Sequence, residues 1–332
     1  MPTRRAALRR QLRNQLVLPA IAAPTFLCSG PDLAVAACAG GIMGTLTLNN
    51  YRTVDEFEKD LAAVRAGLEK VTDRDPGRRI GLLAANTSLD IDVAEIRRFV
   101  GLCARYGVAV VISANGDPAA TAEIVHDAGL SIFHDVTSVK HAEKAIGAGV
   151  DGMVAIGAGG GGHSGTISGL AFVPILRTMF DGVIVLAGCV STGAVIRAAE
   201  VLGADLAYLG TRFIATREST APDEYKALLV SERAEDLTFT AAVNGVSANW
   251  MKASISQAGL DINTMPVPTR RGTDHLPTDV SPWRDIWSAG QGVSLIADIP
   301  STAELIVRLR AEYVAACHTP DMAATARLAE AS

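Results

Sequence analysis

The sequence predicts an α/β fold, a (β/α)8 TIM barrel with a C-terminal excursion covering the barrel mouth. Two observations carry the barrel. Short apolar runs of β character alternate with longer helical patterns, which is the signature of parallel βα units. Eight such runs fit before Arg217. A third observation bears on the site: glycines gather just past the sixth, seventh and eighth runs. On this fold the active site lies at the strands' C-terminal ends, and phosphate is often held by the loops after strands 7 and 8.

The elements follow in order. Arg4, Arg5, Arg9, Arg10 and Arg13 precede an apolar run, Leu16–Ala23, and together they imitate a secretory leader. Pro19 interrupts that run and Pro24 follows it directly, which disfavours cleavage. The expectation is a solvated basic helix ahead of the first core strand. Strands are expected at Val17–Ala22, Gly41–Leu46, Ile80–Ala84, Val108–Ser113, Ser131–Asp135, Gly152–Ile156, Val183–Ala187 and Leu206–Gly210. Helices are expected at Pro31–Ala39, Val54–Lys70, Val93–Tyr106, Pro118–Asp127, Ser138–Gly147, Ala171–Phe180 and Thr192–Leu202. Asp117 before Pro118 and Ser191 before Thr192 are suitable N-caps, because their side-chain oxygens can accept from orphan N–H groups.

After Arg217 the alternation stops, so residues 1–217 read as the barrel. Ala221–Arg233 is helical. Residues 218–300 read as a helical and irregular cap over the mouth, holding all three tryptophans (250, 283 and 287), which read as cap core or as lining of a substrate pocket, cap core being the expected place. Residues 301–317 read as a closing amphipathic helix that sets Leu305, Ile306, Leu309 and Val314 on one side. Residues 318–332 read as a frayed, alanine-rich tail.

Composition limits the function classes. With 332 residues, 49% of them hydrophobic, the chain can bury a barrel-sized core. Net charge is −5 and no basic cluster lies beyond the first thirteen residues, which disfavours nucleic acid as a partner. Cysteines 28, 38, 103, 189 and 317 are odd in number, widely spaced and without C-x-x-C, so no disulfide framework or zinc site is expected. That usage points to a reducing compartment and a cytoplasmic location. No run reaches the roughly 18 apolar residues of a membrane span. The expected partner is a small-molecule substrate, and a homodimer stays open.

The chemistry centres on Val150–Gly169, where a buried strand empties into the glycine loop Gly157–Gly162 and then His163. Glycines there let backbone approach a ligand, successive N–H groups can form an anion nest, and a histidine can titrate near neutrality. Gly157, Gly159 and Gly162 also match the dinucleotide pattern G-x-G-x-x-G. That reading fails on context, since HSGTISG follows instead of a helix and Asp181 precedes a strand rather than ending one. A plain surface loop is the other alternative. Gly188, Gly210 and Thr211 follow the last two strands, where a phosphate would bind. Asn86, just past the third strand, reads as a cofactor contact or a cap. His134, ending the fifth strand, reads as a second polar group of the site or a satisfied rim histidine. His126 and His141 fall on helical patterns and are expected to be solvated, while His275 and His318 lie in irregular or terminal stretches. No spacing resembles a metal site.

These residues carry a resemblance. Ala22-Ala23-Pro24, Gly41–Leu46 with Leu48-Asn49, the GGHSG of Gly161–Gly165, Ala187-Gly188, and Gly203-Ala204-Asp205 through Gly210-Thr211-Arg212-Phe213 resemble the nitronate monooxygenase family of FMN-dependent barrels. Trp283–Trp287 and Gly290-Gln291-Gly292 are similar to the tail of one subgroup. The resemblance covers roughly residues 15–315. It implies FMN, with Ala23, Pro24 and Asn86 against the flavin ring and ribityl region. It also implies Gly161 and Gly162 along the ring's face, and Gly188, Gly210 and Thr211 at the phosphate. His163 matches the family's active-site histidine, the base in members that use nitroalkanes. An imidazole can remove the acidic proton beside a nitro group, or hold a nitronate anion as imidazolium.

Three positions depart from the pattern. Gly159 and Ile156 stand where relatives carry glutamate and glutamine, and Asp135 stands where some quinone reductases carry lysine. The leading expectation is FMN-dependent oxidation of alkyl nitronates with oxygen. The alternative is an NAD(P)H-dependent flavin reductase acting on a quinone or an enoyl thioester. A non-catalytic barrel that binds FMN or a partner, and a flavin-free enzyme of a phosphorylated substrate, complete the set.

Overall fold

The computed structural model describes residues 4–318. The last fourteen residues of the expected tail lie outside it. Eight parallel strands form the sheet: β1 (Ala20–Ala22), β2 (Gly44–Thr47), β3 (Leu83–Ser88), β4 (Val110–Ala114), β5 (Ser131–Val136), β6 (Gly152–Ile156), β7 (Val183–Ala187) and β8 (Leu206–Leu209). Their order is β1-β8-β7-β6-β5-β4-β3-β2. A parallel bridge from Ile21 to Met43 brings β1 back to β2, which makes this a TIM barrel.

Side-chain alternation builds two layers, since successive strand residues face opposite sides. Val110 and Ile112 point into the barrel with Ile21, Met43, Phe133, Val154 and Val185. Val111 and Ile132 face the helices. Gly152 serves this packing, because a Cβ there would meet the Phe133 ring at 2.4 Å.

The helices stand close to their expected places. They are α2 (Pro31–Ala39), α3 (Val54–Arg74), α4 (Val93–Arg105), α5 (Ala119–Asp127), α6 (Val139–Gly147), α7 (Gly169–Met179) and α8 (Gly193–Val201). Asp117 accepts from Ala119 N at 3.0 Å. The α8 cap is Thr192, one residue past the expected Ser191, and its side chain accepts from Val195 N.

The N-terminal segment corrects the expectation of a solvated helix. In α1 (Arg4–Gln15), Leu8 and Leu12 are buried and join the barrel-interior cluster with Leu16. The arginines are anchored as well: Arg4 pairs with Asp151 at 3.2 Å, Arg5 with Asp181 at 2.7 Å and Arg9 with Asp205 at 2.7 Å. Those aspartates stand just before β6, β7 and β8, so α1 plugs the end opposite the glycine loops.

Past β8 come the short helix α9 (Thr211–Ile214) and α10 (Asp223–Ser231), then an antiparallel hairpin of β9 (Leu237–Thr240) and β10 (Ala248–Met251), then α11 (Lys252–Gln257). This excursion has its own apolar clusters, one around Tyr225, Met251 and Trp287 and one around Trp250 and Ile286. Polar contacts tie it to the glycine loop. Asn249 Nδ2 donates to Gly160 O at 2.7 Å and Gln291 N to Gly159 O at 2.8 Å. The final helix α12 (Thr302–Cys317) starts with a capping box of Ser301 and Glu304 and returns to the barrel. Its Glu312 accepts from Gly193 N at 2.7 Å and its Tyr313 bonds Glu200 at 2.6 Å.

Candidate active site

A cavity of about 410 Å³ opens at the C-terminal ends of the strands. That size is ordinary for a small-molecule or cofactor pocket. Ala23 and Pro24 line it from the loop after β1, Asn86 from β3, and Gly161, Gly162 and His163 from the loop after β6. Gly188 lines it after β7, and Gly210 and Thr211 after β8. Nine residues chosen along almost two hundred positions of sequence thus share one cavity.

Asn86 is a strand residue rather than a cap. Its Oδ1 accepts from Thr47 at 2.8 Å and its Nδ2 donates to Ile112 O at 3.1 Å. The amide orientation is therefore set, with one lone pair and one N–H left over. His134 is buried and bonds Ser113 Oγ through Nδ1 at 2.8 Å. Burial, with His141 adding to it, pushes its pKa down to about 4. His126 is partnered rather than merely solvated, since its Nε2 stands 2.9 Å from Asp151 Oδ2. His275 Nε2 donates to Ala242 O at 2.7 Å, since a carbonyl only accepts.

His163 is half-buried at the mouth. Its Nε2 lies 3.1 Å from Asn244 Nδ2. The ring also meets Trp283 edge-on, with centroids 5.3 Å apart at 84°. Burial first, and then the Arg271 charge, pushes its pKa down to about 4, so it is neutral at pH 7.

Two polar groups on the cavity wall lack a hydrogen-bonding partner among the described residues: Asp135 Oδ1 on β5 and Tyr208 OH on β8. Both atoms are shielded from solvent. Burial raises Asp135 to about 7 and, with the Asp135 charge behind it, lifts the Tyr208 phenol above its ordinary value. A shielded polar group without a partner is costly unless a ligand or water satisfies it.

The departure at Gly159 has a structural counterpart. The residue holds φ +79°, and a Cβ there would stand 2.5 Å from Cys189 Sγ and 2.6 Å from Gln291 Oε1. Cys189 and Gln291 fill the corner into which a longer residue would project. Backbone strain gathers around the same cavity. Cys189, Asn115 and Trp283 line it with φ near +60°, and Leu27 sits at φ 61° between two lining residues.

Several of these groups escape a reading of the sequence. Asn244 is 81 positions from His163. Trp283 lines the mouth and also packs against the cap core, its ring 5.0 Å from that of the buried Trp250. Tyr208 looks like an ordinary strand residue, and Asp135 stood out only as a departure from the family pattern, until the barrel placed both on one wall.

Comparison with known proteins follows from this geometry. A sequence model of the nitronate monooxygenase family matches residues 11–312. A nitronate monooxygenase from Paraburkholderia phytofirmans is 36% identical over 143 residues, 40% of this chain and 39% of that protein. A (3aS,4S,5R,7aS)-5-hydroxy-7a-methyl-1-oxo-octahydro-1H-indene-4-carboxyl-CoA dehydrogenase from Mycobacterium tuberculosis is 28% identical over 230 residues, 68% of this chain and 61% of that protein. These matches span 39% and 61% of the two relatives' own lengths. The fold is that of a nitroalkane oxidase structure from Streptomyces ansochromogenes, with a TM-score of 0.72 at 22% identity over 92% of this chain and 98% of that one. The family match runs from α1 through the barrel and the excursion into α12, and on it the chain belongs to the nitronate monooxygenase family.

Proposed function

We propose that this protein is an FMN-dependent oxidoreductase that oxidises alkyl nitronates, and nitroalkanes, with oxygen. The observation that carries this reading is the convergence of Ala23, Pro24, Asn86, Gly161, Gly162, His163, Gly188, Gly210 and Thr211 on one cavity.

The residues present fit FMN. The Asn86 amide, held by Thr47 and Ile112 on the cavity wall, keeps one lone pair and one N–H for a polar group of the cofactor. Gly210 has an ordinary φ of −91°, and a Cβ there would find only ordinary contacts at 3.6 Å and 3.8 Å. The fold therefore does not demand glycine, whereas close approach of a phosphate does. In this reading Ala23, Pro24 and Asn86 hold the ring and ribityl region, and Gly161 and Gly162 run along the ring. Gly188, Gly210 and Thr211 hold the phosphate. Thr211 Oγ1 is positioned by accepting from Gly290 N at 2.9 Å, which leaves its own proton for an anion.

Bound FMN supplies the electron transfer and the oxygen chemistry. The chain's part is to bind, orient and manage protons. His163 faces the nitro group, either taking a proton from carbon or orienting the anion once formed. Trp283 and Phe26, whose rings lie 6.2 Å apart edge-to-face, supply an apolar wall for the alkyl part.

A second reading has its own support. With Gly159 hemmed in by Cys189 and Gln291, this corner carries no carboxylate, and the site suits an NAD(P)H-dependent flavin reductase of a quinone or enoyl thioester. The test is anaerobic reduction. Bleaching of the protein's flavin absorbance by ethyl nitronate, with no response to NADH or NADPH, is the expected result. Bleaching by a nicotinamide alone overturns nitronate oxidation in favour of the reductase.

A further inference from the structure

The hydrogen bond between Asn244 and His163 decides what the histidine can do. Asn244 is buried at 4% exposure in the loop between β9 and β10. Its backbone carbonyl accepts from Gly272 N at 3.1 Å, and its side-chain Oδ1 accepts from Val246 N at 3.2 Å. The second bond orients the amide. With Oδ1 committed to a backbone N–H, the group turned toward His163 is the NH₂, which can only donate. Nε2 of His163, 3.1 Å away, must therefore accept. An imidazole that accepts at Nε2 carries its proton at Nδ1.

Nδ1 makes no hydrogen bond among the described residues, and His163 lines the cavity. The edge-on Trp283 ring restricts a flip of the imidazole, which would exchange the two nitrogens. Proton uptake at Nε2 would set two donors head to head and would need the Asn244 amide to turn, breaking its bond to Val246.

We propose that Asn244 is a positioning residue that fixes His163 as a neutral, Nδ1-protonated hydrogen-bond donor, so that the site receives a substrate that is already an anion rather than deprotonating a neutral one. The inference rests on the reading that His163 faces the substrate. The chemical class it implies is a preformed nitronate or a similarly charged oxyanion. Nδ1–H donates to one anionic oxygen; Arg271, whose charge is felt at His163, is itself paired with Asp90 at 3.2 Å. No bond to hydrogen is broken by His163 in this scheme.

The test is ¹⁵N NMR of the FMN-loaded enzyme labelled in histidine at pH 7, with the His163 signals assigned by their loss in His163→Ala. The expected spectrum has a protonated-type Nδ1 and an unprotonated-type Nε2. A protonated Nε2 overturns the proposal. Asn244→Asp replaces the donor by an acceptor, so Nε2 should become protonated, and nitronate turnover should fall on the order of 10²-fold, the usual cost of losing one hydrogen-bond donor to an oxyanion. Asn244→Gln, a milder change that keeps the donor, should restore part of that loss in kcat. A protonated Nε2 in Asn244→Asp with nitronate turnover unchanged would also overturn it. If wild type shows the expected tautomer yet no nitronate reacts, the functional reading fails and the tautomer assignment stands.

Discussion

Gly210 offers the sharpest separation of fold from function at the residue scale. A Cβ has room there in the protein itself, with Thr25 and Ala23 at ordinary contact distance. Gly210→Ala is therefore expected to fold and to melt like the flavin-free native chain while losing bound FMN, read as the ratio of visible to ultraviolet absorbance. Full flavin occupancy in a folded variant would show that the phosphate lies elsewhere. His163→Ala makes a complementary point. With the donor role fixed by Asn244, turnover with nitronate and with neutral nitroalkane should fall by similar factors, about 10²-fold, as when one donor to an oxyanion is lost. A loss confined to the neutral substrate would restore the base role, and steady-state rates on both substrates decide it. Legibility at this scale follows chain distance. His163 and the glycines stand in short motifs whose spacing carries the chemistry. Asn244 acts on a partner 81 positions away, and Asp135 and Tyr208 owe their character to burial in the barrel, which no local pattern encodes.

Among the elements, α1 shows how a sequence pattern misleads. Five arginines within ten residues read as a solvated surface, and the two leucines between them carry little weight in that count. The fold reverses this: Leu8 and Leu12, one turn apart, close the barrel floor, and the arginines reach aspartates at the strand starts. Leu12→Ala is expected to cost about 2–4 kcal/mol in chemical denaturation, the usual cost of emptying a buried leucine site. A cost below about 0.5 kcal/mol, the range of surface changes, would return α1 to the solvent. The strands were legible because short apolar runs, which the barrel buries on both faces, recur eight times between helical patterns. The excursion was read as a helical and irregular cap, and its hairpin of β9 and β10 went unread, because Trp250 on that hairpin packs against Trp283, far along the chain.

On the scale of the whole molecule, the cavity sets the response to pH. His134 and His163 are pushed down to about 4, and Asp135 is pushed up to about 7. Between those values none of the three carries a charge. The two histidines bind fewer protons folded than unfolded from about pH 6.5 down to about 4, so their contribution to stability is lost as pH falls through that window. Asp135 has the opposite sign. It keeps its proton in the fold while the unfolded chain releases one, so stability falls as pH rises from about 4 to about 7. Asp135→Asn should therefore match the native chain near pH 4 and exceed it above pH 7, with a ceiling of about 4 kcal/mol at about 1.4 kcal/mol per pKa unit. Flavin-free protein followed by thermal unfolding at both pH values checks this, and an equal melting temperature at pH 8 would contradict it. The central claim is that the mouth of this barrel is an FMN site, and its most direct test is the absorbance spectrum of the purified protein with its released cofactor identified by mass. The account predicts a flavin spectrum and one FMN per chain, retained or restored on reconstitution. A colourless protein that takes up no FMN when it is supplied would contradict it.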